Sequence, residues 1–223
     1  MPRPFHALDA YRRKARALGV KYQTSARVDE IEHNNKGWCL TTPKGKFHAP
    51  VLVNCAGAWA GRIAAALDEP VPLKPGAPML MISERLPRFI EPVISAASRM
   101  LSFKQMHNGT LLIGGAHLAE LDFEHQTTEM NWNKLAISAN TVMALFPQLE
   151  NVRIVRTWAG IEAFMPDNLP VIDSSSTSAN AYHAFGFSAH GFQLSPIVGK
   201  IISQLILDDQ TTLPVEPFNI KRF

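Results

Sequence analysis

The stretch HAFGFSAHGFQLSPIVGKIISQLIL, residues 183–207, changes character halfway along. Its first half sets Gly186 and Gly191 among small residues. Its second half spaces Ile197, Val198, Ile201, Ile202, Leu205 and Ile206 along one helical stripe. Preceded by the apolar run AYHAF, the pattern predicts a strand, a permissive loop and a buried helix that begins near Phe192. Such a turn directs backbone N–H groups, and the positive end of a helix dipole, at whatever lies above it. Glycine also lets a flat or anionic ligand approach the main chain. The same geometry serves equally as a tight helix entry packed on the core, because no strict GxGxxG or Walker pattern is present.

A second strand that ends in small residues stands upstream. VLVNCA, residues 51–56, reads as a continuously apolar strand buried on both faces. Gly57 breaks it, and AWAGRIAAAL follows as a short helix. Before it, residues 7–18 have helical spacing with a basic outer face, and NNKG and PKGKF mark two turns between β-rich runs. From Val71 onward VPLKPGAPMLMISE, RMLSFKQM and GTLLIGG predict an antiparallel sheet. Residues 131–146 predict an amphipathic helix with Trp132, Leu135, Ala136, Ala139, Val142, Met143 and Phe146 on one face. The strand-like RIVRTWAGIEA and the turn-plus-strand PDNLPVID then lead back to the glycine loop. The order predicts an α+β fold in which a second region, residues 71–150, is inserted between residues 1–70 and 151–223.

Bulk properties narrow the function. The chain has 223 residues, 46% of them hydrophobic, which is enough for a real core. Its net charge of +3 is scattered, with no block that resembles a nucleic-acid footprint. Cys39 and Cys55 lie in apolar runs, read as small core residues in a reducing compartment, and neither has metal-ligand spacing. The N-terminus is too charged for a signal peptide or membrane span, so a soluble, cytoplasmic protein is expected.

Three segments in order, NCAGAWAGRIA (54–64), RTWAGIEAFMPDNLPVI (156–172) and GFSAHGFQLSPIVGKIISQL (186–205), resemble the D-amino-acid oxidase family of FAD-dependent oxidoreductases. That family includes sarcosine oxidase, glycine oxidase and D-hydroxyproline or opine dehydrogenases. LSFKQMHNGTLLIGGAH is similar to its substrate-domain strands, and the likeness covers nearly the whole chain. The resemblance implies non-covalent FAD and oxidation of an amino-acid-like amine by hydride transfer to flavin N5. It also implies that residues 71–150 form a substrate-binding domain inserted into a partial FAD-binding domain.

Residue by residue, the resemblance implies flavin contacts at Gly186, Gly191, Phe192, Gln193 and Leu194, with the helix N-terminus directed at the flavin N1–C2=O edge. Val28 resembles the valine whose backbone meets the adenine, and Ala56, Gly57 and Trp59 the segment beside the pyrophosphate and ribityl chain. The family clamps its substrate carboxylate with a basic residue. This chain departs there: Glu162 and Gln193 stand where relatives carry arginine and lysine. Lys104, His190 and Arg156 are substitutes by residue type, and a surface or structural role suits each as well. No catalytic acid or base is assigned, since the flavin carries the chemistry.

Family members begin with a strand–GxGxxG–helix unit for the ADP moiety, and none is found here. The N-terminal Rossmann βαβ unit is therefore expected to lie outside this chain. The chain reads as a truncated or split amine oxidase or dehydrogenase, as an inactive remnant, or as a non-catalytic partner subunit. An N-terminal flavin-domain chain or an oxidoreductase subunit is the expected partner.

Overall fold

The computed structural model describes residues 4–223. In chain order, helix α1 (Pro4–Ala17) precedes strands β1 (Glu30–Asn34), β2 (Gly37–Thr42), β3 (Gly45–Ala49) and β4 (Leu52–Asn54). A 3₁₀ turn at Gly57–Trp59 opens helix α2 (Ala60–Ala66). Then come β5 (Lys74–Gly76), β6 (Pro78–Arg85), β7 (Ile94–Ser95), β8 (Ser102–Gln105), β9 (Thr110–Leu118), β10 (Glu120–Asp122) and β11 (Thr127–Glu129). Helix α3 (Trp132–Leu145), β12 (Ile154–Ala159), β13 (Glu162–Phe164), β14 (Val171–Ser174), β15 (Ala181–Phe185) and helix α4 (Gly191–Asp208) complete the order.

The chain divides into two compact units: residues up to Pro72 together with Asp167–Phe223, and Leu73–Pro166. The inserted region thus extends to Pro166, past the 150 read from the sequence. Strand pairing accounts for the difference, because β12 pairs with β6 and β13 with β5.

The first unit holds an antiparallel meander β1-β2-β3 and a sheet of order β14-β15-β4. The two expected turns form as hairpins at Gly37 (φ +101) and Gly45 (φ +108), and a side chain at Gly37 would meet the Ala49 carbonyl at 2.7 Å. Trp38 is buried with Leu67 and Ala181, and its indole N–H donates to the Asn180 carbonyl at 3.1 Å. Helix α4 buries Val198, Ile201 and Ile202 against Ile172, Tyr182 and Ala184. Each such side chain contributes roughly 1.5–3 kcal/mol. Pro196 removes one N–H inside this helix, and the Ser195 hydroxyl donates to the Phe192 carbonyl at 3.0 Å in its place. Asp173 ties the C-terminus down: its Oδ2 accepts from the Ile220 N–H at 3.2 Å.

Strand β4 corrects one expectation. It bonds to β15 at one edge of its sheet, Val53 is 37% exposed and Cys55 is exposed, so only alternate residues face the core. The two-residue period of a strand carries Val53 and Cys55 to the face opposite buried Asn54. Cys39 is buried as expected.

The second unit is a five-stranded sheet, order β12-β6-β9-β8-β7, with α3 on one face. Met79, Met81, Phe103, Leu111 and Ile113 meet Leu135 and Val142 of that helix. Asn131 caps α3, its side chain accepting from the Lys134 N–H at 3.1 Å. The buried face is Leu135, Ser138, Thr141 and Val142, while Trp132 is 66% exposed and Ala136 is exposed. The face is thus rotated from the expected one. Ser138 and Thr141 are small enough to lie against the sheet, and helical hydroxyls bond back to their own helix carbonyls.

Candidate functional site

Strands β4 and β15 run parallel, with Leu52 opposite Ala181 and Asn54 opposite His183. Their carboxyl ends therefore leave the sheet on the same side. From β4 the chain enters Cys55, Ala56 and the Gly57–Trp59 turn, and from β15 it enters the loop that runs through Gly186 to α4. Ligands in open α/β sheets bind outside the carboxyl ends of adjacent parallel strands. This arrangement brings Ala56, Gly57 and Trp59 to the same sheet end as Gly186, His190, Gly191, Phe192 and Gln193.

Each loop has a reason for its shape. Gly57 takes φ +56, and a Cβ placed there would meet nothing within 4 Å, so the space above its backbone is open. Gly186 takes φ +73, and Ser188 (φ 47) and Ala189 (φ 72) continue the left-handed path. At Gly191 a Cβ would sit 3.2 Å from Cβ of Phe187, so the loop closes tightly on the first turn of α4. His190 occupies the N-cap position, yet no side chain caps the helix. The first-turn N–H groups, which an α-helix cannot satisfy internally, stay available to a ligand. Phe192 and Gln193 are exposed, whereas Leu194 packs against the apolar cluster beneath α4.

Val28 lies at a cavity of about 500 Å³ lined by Arg27, Asp29, Ile31 and, from α2, Arg62, Ile63 and Ala66. Helix α2 thus joins the Gly57 turn to the Val28 cavity. Arg27 and Asp29 form an ion pair at 2.7 Å on its rim. An uncapped helix start, an open glycine backbone and a cavity whose rim balances Arg27 and Arg62 with Asp29 and Glu30 fit the carbonyl edge, pyrophosphate and adenosine of a dinucleotide such as FAD.

A buried polar chain beneath these loops escaped the sequence reading. Asn54 Nδ2 donates to the Ala60 carbonyl at 3.0 Å, and its Oδ1 accepts from the Ala56 N–H at 3.3 Å, so one amide shapes the turn. The same Nδ2 lies 3.3 Å from Nδ1 of His183, whose Nε2 lies 3.0 Å from Oε2 of Glu69. Glu69 also accepts from the Ser175 hydroxyl and the Ser176 N–H, both at 2.6 Å. The only sequence signal was a polar Asn inside an apolar strand.

The remaining predicted residues lie in the second unit. Lys104 is half-buried on β8, opposite Leu112. Arg156 and Trp158 on β12 form a cation–π pair at 5.8 Å. Glu162 on β13 has no hydrogen-bond or ion-pair partner among the described residues, and desolvation holds its carboxyl above the ordinary range. No helix among the described residues is long and apolar enough to cross a membrane.

Comparison with known proteins matches this architecture. Residues 2–205 match the family model described as FAD dependent oxidoreductase. The chain is 29% identical, over 99% of its length, to the hydrogen cyanide synthase subunit HcnC of Pseudomonas protegens, of which it covers 52%. It is 25% identical to the glycine oxidase of Geobacillus kaustophilus, with 93% of this chain and 54% of that protein covered. The L-proline dehydrogenase of P. horikoshii superposes with a TM-score of 0.91 at 28% identity, over 99% of this chain and 59% of that one. The chain spans about half the length of the curated relatives it matches. By the match over residues 2–205, and with the fold to agree, the chain belongs to the FAD dependent oxidoreductase family of D-amino-acid, glycine and sarcosine oxidases.

Proposed function

We propose that this chain is part of an FAD-dependent enzyme that oxidises the C–N bond of an amino-acid-like amine, of D-amino-acid, sarcosine, glycine or hydroxyproline type. The uncapped start of α4, set behind the Gly186 loop, is the observation that carries the reading. FAD, when bound, supplies the hydride acceptor. The N–H groups of Gly191, Phe192 and Gln193 offer fixed donors to negative charge at the carbonyl edge of such a ring. Val28, Ala56, Gly57, Trp59 and Gly186 would complete the non-covalent holding of the cofactor, with Leu194 supporting the loop from the core side. Of the residues proposed for substrate, His190, Lys104 and the Gln193 amide can donate hydrogen bonds, and the Glu162 carboxylate can accept them. The bound amine would be converted to an imine that water then hydrolyses.

The names of several relatives favour a second reading, in which the chain works as one component of a larger enzyme. They include an opine oxidase subunit of Rhizobium meliloti and the beta subunit of the sarcosine oxidase of Arthrobacter. An N-terminal flavin-domain chain or another oxidoreductase subunit would then complete the enzyme.

The deciding measurement is the visible spectrum of the purified chain after FAD is added and the excess removed. A retained flavin with peaks displaced from free FAD, bleached by an amino acid under anaerobic conditions, is the expected result. A colourless protein would overturn the reading of this chain as a flavin site in its own right and leave the subunit reading.

A further inference from the structure

Asn54, His183 and Glu69 are all buried, and the hydrogen bonds that join them run in one direction. Two backbone groups set that direction. The Ala56 N–H can only donate and the Ala60 carbonyl can only accept. The Asn54 amide must therefore turn Oδ1 to the first, at 3.3 Å, and Nδ2 to the second, at 3.0 Å. The same Nδ2 reaches His183 Nδ1 at 3.3 Å as a donor, so Nδ1 must accept. That leaves the ring proton on Nε2, 3.0 Å from Oε2 of Glu69. At the far end Glu69 only accepts, from the ring, the Ser175 hydroxyl and the Ser176 N–H.

A chain of one polarity carries a change at one end to the other. Suppose position 69 held an amide instead of a carboxylate. The Ser176 N–H, fixed in the backbone, would keep the amide oxygen and turn the amide nitrogen toward His183 Nε2. Two donors cannot share that contact, so the ring proton would move to Nδ1 and meet the Asn54 Nδ2 hydrogens. Asn54 could relieve the new clash only by releasing the Ala56 N–H and the Ala60 carbonyl. Those two bonds span the Gly57 turn. The cost of a change at Glu69 thus falls on a loop that Glu69 does not bond.

We infer that Glu69 and His183 are positioning residues for the cofactor. The carboxylate fixes the imidazole tautomer, the tautomer fixes the Asn54 amide, and the amide holds the Ala56–Gly57 backbone in the shape that receives the ligand. For the identity of that ligand this rests on the flavin reading above.

The test compares the full chain, labelled with nitrogen-15, with Glu69→Gln and Ser175→Ala. Long-range proton–nitrogen spectra read which His183 nitrogen carries the proton. Hydrogen exchange reads the Ala56 amide against that of Leu52, which bonds the Asn180 carbonyl from the same strand. In the parent the proton is expected on Nε2. Glu69→Gln should move it to Nδ1 and speed Ala56 exchange relative to Leu52 by about tenfold, as one lost hydrogen bond requires. Ser175→Ala removes a donor to the same carboxylate without reversing the chain, so it should lower stability and leave both signals unchanged. FAD affinity, read by quenching of flavin fluorescence, should fall about tenfold in the first variant and hold in the second. A ring proton on Nδ1 in the parent would overturn the proposal without any variant. So would an unmoved proton or an undiminished FAD affinity in Glu69→Gln, or an equal Ala56 response in Ser175→Ala. A parent that binds no FAD would sink the stand-alone flavin reading, while the ring and exchange signals still decide whether Glu69 sets the turn.

Discussion

His183 on β15 and Glu69, just past α2, meet at 3.0 Å between Nε2 and Oε2, with 0% and 3% of their side chains exposed. Asn54 donates toward Nδ1, so the imidazole carries its proton on Nε2 and donates it to the carboxylate. Burial alone raises the Glu69 carboxyl. The Ser175 hydroxyl, the Ser176 N–H and His183 together outweigh that and hold it below its ordinary 4.5. A depressed carboxylate stabilises the fold above its unfolded pKa, and the contribution is lost as pH falls through the folded value. Glu69→Gln should therefore destabilise the chain by about 2–3 kcal/mol near neutral pH. Urea denaturation of both proteins should show the difference shrinking below pH 4.5, and a pH-independent gap would refute the ionised network.

The Gly191–Phe187 approach gives the flavin site its own test. Added at Gly191, a methyl group meets Phe187 Cβ at 3.2 Å and pushes the loop away from the helix start. Gly191→Ala should cost stability by only about 1 kcal/mol, within the usual range for single substitutions. Retained flavin after gel filtration, measured by absorbance, should fall at least tenfold. Loss of flavin in step with global unfolding would instead mark Gly191 as structural.

Much of the fold was legible because its signals are local. The glycines before the α4 stripe and the Gly37 and Gly45 turns each lie within a few residues of the element they shape. What escaped was decided at a distance. Glu69 and His183 are 114 positions apart, and no pattern in one chain couples a lone acid to a lone histidine. Val53 and Cys55 read as core by composition, yet the strand's period turns them outward. Trp132 misled for a related reason: its bulk suggested the core, while two small hydroxyl residues occupy it.

The two cysteines should separate cleanly by reactivity. Cys55 is exposed one residue before Ala56, while Cys39 is buried on β2. A chromogenic disulfide reagent should therefore titrate one thiol in the native chain and two after denaturation. Desolvation by its neighbours holds the Cys55 thiol above its ordinary 9.0, although the residue as a whole is exposed. Its labelling rate should thus keep rising as pH passes 9.0, since the thiolate is the nucleophile. Labelled chain should lose flavin retention, because the added group stands beside the Gly57 turn. Two fast thiols would contradict the buried position of Cys39.

Glu162 should behave oppositely to Glu69. Desolvation raises its carboxyl above 4.5, and no cation among the described residues offsets the charge. A carboxyl raised in the folded state opposes folding once ionised: the penalty is absent below the unfolded pKa and grows as pH rises through the folded one. Glu162→Gln should accordingly raise the melting temperature at pH 7 and change nothing near pH 3. A lower melting temperature of Glu162→Gln at pH 7, or a gain that persists unchanged at pH 3, would show that the carboxylate is stabilised in the fold rather than penalised.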